Sequence, residues 1–239
     1  MSTSFEVISE ALPTLLQGAG VTLRLTSISA VFGLVGGTLV SLMRLSPAAS
    51  LRLISRIYVD FVRGTPLLVQ ILLVYFGVPA LVQSFDMQFS FDRFVAATLA
   101  LSLNAAAYLS EIMRAGIQSI EVGQREASES LGLGPLQTMR YIILPQAFRR
   151  MIPPLGNEFI ILLKDTSLVA IIGYEELLRR GQLVVANNYK AFQIYITVAV
   201  IYLVLTLASS QVVSWLEWWM NPVGRVGRSR STQTETSSN

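Results

Sequence analysis

From Leu15 to Met43 the chain carries a single charged residue, Arg24. A run of that length crosses a ~30 Å hydrocarbon core with tilt to spare. In lipid no water satisfies the peptide groups, so such a run has to be helical. It is rich in glycine (Gly18, Gly20, Gly33, Gly36, Gly37), as in membrane helices that pack closely on one another. Arg24, near its start, is placed to snorkel toward the interface.

The rest of the chain has the same character. Of its 239 residues, 52% are hydrophobic and only 14% charged, with a mean hydropathy of +0.55. A soluble domain carries about 25% charged residues. The fold class implied is an all-α polytopic membrane protein, a single membrane domain of about five transmembrane helices. There is no cysteine and no histidine. That excludes thiol nucleophiles, disulfides, imidazole-dependent triads and zinc sites, and no metal site is expected. A net charge of +3 is too small to imply nucleic acid.

Further apolar spans are expected from about Ile57 to Val82, Phe91 to Ile117, Ile152 to Ile172 and Ala191 to Met220. The second is interrupted at Gly64-Thr65-Pro66, and the last ends in Trp215, Trp218 and Trp219, an interfacial aromatic belt. Residues 173–190 are amphipathic and predicted to lie on the membrane surface. The tail after Pro222 is rich in Ser, Thr and Arg, which predicts disorder. Five spans put the termini on opposite sides. With the N-terminus outside, the inner segments hold eleven arginines, among them Arg44, Arg125, Arg140 and Arg225, against Arg93, Arg179, Arg180 and Lys190 outside. The positive-inside rule therefore places the loop around Glu126 in the cytoplasm.

That loop, residues 119–145, is the longest polar interruption among the spans. Ser119 is a plausible N-cap and Glu121 a first-turn acid for a helix reaching Leu131, which Gly132 would end as a left-handed C′ residue. Gly134-Pro135 restarts a helix with proline at its first position, and Pro145 ends or bends it. The order is Glu126-Ala127, four residues, Gly132, nine residues, Ile142, one residue, Leu144-Pro145. This resembles the EAA signature of the membrane permeases of ATP-binding-cassette importers. Phe61 to Gln70 (FVRGTPLLVQ) resembles the block typical of their polar amino acid branch, the histidine/glutamine/arginine permeases. The resemblance continues through residues 104–150 and 153–173.

The resemblance implies a type I importer permease that does no chemistry itself. Its 119–145 loop would dock on ATPase subunits, with Arg125, Glu126, Ala127, Leu131 and Gly132 as the coupling residues. Glu126 could equally stabilise its own helix. It further implies a bacterial inner-membrane location, an extracytoplasmic solute-binding protein, a second permease (identical or not) and a polar amino acid as substrate. On this reading residues 1–14 are an external segment, 15–221 the transmembrane permease domain in contact with lipid, and 222–239 a disordered cytoplasmic tail. No cofactor is expected on this chain. A nucleotide loop needs Gly-Lys-Ser/Thr, and neither of its two lysines, Lys164 and Lys190, follows a glycine. ATP and magnesium would belong to the partner.

Intramembrane charge marks a second site. Glu158 and Asp165 are seven residues apart and share a helix face. Carboxylates at mid-membrane cost roughly 3 kcal/mol each and face a cavity or a partner. Asn104, Tyr108 and Glu111 form a second polar stripe. A midplane pocket would use Glu158 or Asp165 for an ammonium, with Asn104 and Thr166 for a carboxylate. Tyr108, Thr65 and Gln70 complete the candidate substrate residues. For any one of them the competing role is an interhelical hydrogen bond worth ~0.6 kcal/mol. The same acids could carry protons in an ion-coupled secondary amino acid transporter, which would leave the 119–145 loop without a purpose.

Overall fold

A computed structural model of the protein describes residues 4–220. The expected tail at 222–239 lies outside the described residues. Among these the secondary structure is entirely helical: α1 (Ser4–Leu45), α2 (Ala49–Gly64), α3 (Leu67–Leu72), α4 (Val78–Gln83), α5 (Arg93–Gln118), α6 (Val122–Ser130), α7 (Pro135–Gln137), α8 (Leu144–Asp165), α9 (Leu177–Asn188) and α10 (Ala191–Met220).

The first span starts earlier than its hydropathy suggests. α1 is one helix of 42 residues, and Val7 and Ala11 are already buried in it. Residues 4–14 are therefore the opening turns of α1. It packs lengthwise on α5, where small residues bring the backbones together. A Cβ on Gly33 would fall 2.7 Å from the Ala105 Cβ, and one on Gly37 would fall 2.9 Å from the Leu109 Cβ. α5 is alanine-rich, with Ala96, Ala97, Ala100, Ala105 and Ala106 all buried, and of these Ala105 and Ala106 meet the α1 glycines, which fits membrane packing through small residues.

α2 and the helical stretch Leu67–Gln83 meet at 108°. Thr65 and Pro66 are extended between them, because proline disfavours helical geometry in its predecessor. Two π-helical turns, Leu73–Gly77 and Thr138–Ile143, carry the chain past Pro79 and Pro145. Proline clashes with the carbonyl four residues back. A wider turn shifts the bonding to five residues back, as Val78 N–H to Leu73 O and Leu144 N–H to Met139 O show. Pro145 thus neither ends nor sharply breaks its helix.

Among the described residues three helices, α1, α5 and α10, are individually long and apolar enough to cross a membrane, and a fourth crossing follows if the bent pair is one span. The other expected span, residues 152–172, consists of the second half of α8 and a 3-10 turn, Thr166–Ile172. It carries three charges, Glu158, Lys164 and Asp165.

Among the described residues there are two main apolar cores. One joins Leu25 of α1, Ile71, the alanines of α5, Leu162 and Val169. The other joins Val7, Leu15 and Ala19 of α1 to Leu177, Ile194 and Val198. α9 is anchored in this second core: Leu177, where it begins, is fully buried, as is Glu176 before it. α10 buries only Ile194 and Val198 and leaves Leu203, Val204, Leu207 and Val212 exposed, a face suited to lipid.

Candidate coupling loop and intramembrane pocket

α6 begins later than expected. Ser119 is the C-cap of α5 and donates to Gly116 O at 2.7 Å; Glu121 is the residue before the first turn of α6. Residues 119–121 turn the corner between the two helices, so a hydroxyl that reads as an N-cap in sequence closes the preceding helix instead. Arg150 donates to Ser119 O, placing a cation at the negative end of α5. The other end of α6 follows the expectation. Gly132 has φ +79, Leu133 N–H donates to Ser128 O at 3.1 Å and Gly132 N–H to Glu129 O at 2.9 Å. This is a Schellman termination that requires the left-handed residue. Pro135 then opens α7, with Gln137 Oε1 accepting from Gly134 N–H at 2.9 Å.

Little attaches α6 to the bundle. Ser128 Oγ and Thr138 Oγ1 are 2.9 Å apart and buried, and Gln146 Nε2 donates to Gln124 Oε1 at 3.2 Å. A cleft of about 480 Å³ lies between α6, Leu45 at the end of α1, and Ile117 near the end of α5. Arg125, Glu126, Ala127 and Gly132 are all exposed. So is the apolar surface around them: Leu131 is 81% exposed, Leu136 81% and Val122 70%.

Glu158 lines a cleft of about 200 Å³ whose other walls are apolar, among them Leu34 of α1, Leu109 of α5 and Phe159 of α8. Asp165 stands seven residues, about two turns, further along the same helix. Asp165 is half-buried at the end of α8, and Lys164 is exposed beside it.

The remaining candidates have partners inside the chain. Gln70 Nε2 donates to Val62 O at 2.7 Å, to Thr65 O at 3.1 Å and to Thr65 Oγ1 at 2.9 Å. Its Oε1 accepts from Asn104 Nδ2 at 3.0 Å. Thr65, Gln70 and Asn104 thus form one knot across the break between α2 and α3. Thr166 is fully buried and donates to Leu163 O at 2.7 Å. Tyr108 lies under Arg63, whose Cζ is 5.4 Å from the ring centroid. The expected polar stripe therefore divides among separate partners, because Glu111 pairs with Arg44 and Arg114.

One buried charge escaped sequence reasoning altogether. Glu176 caps α9, accepting from Leu178 N–H at 2.9 Å and Arg179 N–H at 2.7 Å, and takes a third bond from the Tyr202 hydroxyl at 2.7 Å. Leu177 N–H donates to Thr22 Oγ1 at 3.2 Å. Burial pushes the Glu176 carboxyl up from its ordinary range, against these hydrogen bonds. Glutamate is not a favoured N-cap, so only its place immediately before an amphipathic run hinted at the role.

Residues 29–221 match the family described as "Binding-protein-dependent transport system inner membrane component". The chain belongs to this family. The permease is 40% identical to the glutamine transport system permease protein GlnP of Escherichia coli (strain K12), over 91% of its own length and 97% of the relative's. It is 39% identical to the arginine transport system permease protein ArtQ of Bacillus subtilis (strain 168), over 87% and 92%. A solved structure, "Crystal structure of an amino acid ABC transporter with histidines", superposes on it with a TM-score of 0.84 at 39% identity, covering 91% of the permease and 99% of that chain. The permease is thus a transport subunit of an ABC importer, in which ATP hydrolysis belongs to a separate subunit. The ion-coupled secondary transporter is not retained.

Proposed function

We propose that the permease forms the translocation pathway for a polar amino acid and couples it to two ATPase subunits through α6. The observation that carries this reading is α6 itself, which presents Arg125, Glu126, Ala127, Leu131 and Gly132 on a surface its own bundle leaves open. Support for the substrate class comes from the relatives named as glutamine and arginine permeases and from the carboxylate of Glu158 facing a cleft. Glu158 and Asp165 are the ammonium-facing residues, Tyr108 flanks them, and Thr65, Gln70, Asn104 and Thr166 shape the wall. The arginine distribution supports an external N-terminus with α6 in the cytoplasm. A second permease, identical or not, and an external solute-binding protein complete the assembly, with α10 against lipid. No cofactor belongs to this chain. ATP-driven closure of the ATPases moves the α6 loops, rocks the helices and alternates access to the Glu158 region.

Uptake of an amino acid panel into proteoliposomes with the cognate ATPase and binding protein tests this. Glu126→Ala is expected to leave the complex assembled but separate ATP hydrolysis from uptake, and Glu158→Gln to change the substrate preference. Uptake that follows a proton gradient and ignores ATP would sink the reading.

A further inference from the structure

Among the described residues, the side-chain hydrogen bonds that leave α6 for another element all lead toward α8. Ser128, in its last turn, meets Thr138 at the start of the π turn that runs into α8, and Gln124, in its first turn, accepts from Gln146 in the first turn of α8. Gln146 Nε2 also donates to Ile142 O at 2.8 Å, so one amide ties α6, the π turn and α8 together. Toward Leu45 of α1 and Ile117 of α5, α6 borders a cleft of about 480 Å³. α8 in turn is seated on the end of α5. Gly116 and Met151 are both buried, and a Cβ on Gly116 would fall 2.4 Å from the Met151 Cγ. Arg150, beside Met151, donates to Ser119 O at the C-cap of α5. Along α8, Gln146 stands about 7 Å to one side of this seat and Glu158 about 10 Å to the other, at 1.5 Å per residue. The seat thus lies between the residue that grips α6 and the one that lines the apolar cleft.

We propose that Gln146 is a positioning residue that fastens α6 to α8, so that the two move as one body about the Gly116–Met151 seat and a displacement of α6 reaches the Glu158 cleft through α8. This rests on the reading of α6 as the helix that couples to the ATPase. Residues 119–121, which turn between α5 and α6, are the joint, and the cleft beside them gives α6 room to move against α1.

The test uses the complete importer in proteoliposomes, with uptake from an amino acid panel and ATP hydrolysis measured together. Gln146→Ala should keep the ATPase bound and the permease's Tm unchanged, yet lower the amount imported per ATP hydrolysed roughly two- to tenfold, the scale of one net hydrogen bond. Gln146→Lys keeps a donor of similar reach and should hold most of the wild-type ratio, which a role in folding alone would not predict. The chain has no cysteine, so a pair can be introduced without background. Gln124→Cys with Gln146→Cys should couple poorly until a short bifunctional thiol reagent joins them in the assembled complex, and then recover. Leu45→Cys with Val122→Cys, joined across the cleft, should stop uptake. Where Gln146→Ala does not assemble, the two cysteine pairs carry the test. A ratio untouched by Gln146→Ala, a first pair whose joining does not raise uptake, or a second whose joining leaves uptake intact overturns the assignment alone. Wild-type uptake that ignores ATP overturns the coupling reading beneath it.

Discussion

α9 and α6 are both short polar helices, placed near opposite ends of α1, and they are held in opposite ways. α9 is completed from within. Glu176 caps it, Tyr202 of α10 and Thr22 of α1 bond into its first turn, and Leu177 is fully buried. α6 ends in a Schellman turn made from its own backbone and touches the bundle through one hydroxyl pair and one amide pair. The apolar residues on and beside it, at 122, 131 and 136, are exposed. An end that satisfies its polar and apolar groups internally is part of a scaffold. An end that leaves large apolar side chains in the open is the surface we propose the ATPase finishes.

The comparison yields an ordered set of effects on the thermal stability of the isolated permease. Glu176→Ala strands two part-buried amides and a part-buried hydroxyl. It should cost about 3 kcal/mol and lower Tm by about 6–12 °C in a chain of this size. Glu176→Gln, which keeps an acceptor, should lose less. A Tm unchanged by Glu176→Ala would break the claim that α9 is locked. Ser128→Ala removes the one buried tether of α6 and leaves Thr138 with an unpaired hydroxyl, for about 1 kcal/mol. Leu131→Ser should change stability by no more than ~0.5 kcal/mol, as exposed positions do, yet weaken ATPase association in a pull-down or by interferometry. If it instead destabilises the permease as much as Glu176→Ala does, Leu131 serves the chain's own fold and α6 is no docking surface.

Much of the helical layout was legible because membrane helices announce themselves by one-dimensional signals. α10 occupies the predicted residues, 191–220, and α5 lies within two residues of its predicted ends. The turn at Gly132 and the restart at Pro135 were equally readable, since each is a local backbone requirement of one residue type. Ser119 misled because a serine between two helices can close one or open the other, and sequence does not say which. The π turns before Pro79 and Pro145 were invisible: proline announces a disturbance but not whether the helix stops, bends or widens.

What the sequence determined by itself was therefore the set of charges and hydroxyls that had to find partners, and the local turns at Gly132 and Pro135. Which partner each polar group takes was decided only in three dimensions. Asn104 bonds to a residue 34 positions away, Glu111 to one 67 away, and Thr22 to one 155 away. Asn104, Tyr108 and Glu111 look like a single stripe on one helix, yet each meets a different element. Hydropathy and helical period specify which face turns inward, but only the packing of α1 and α2 against α5 sets what waits there.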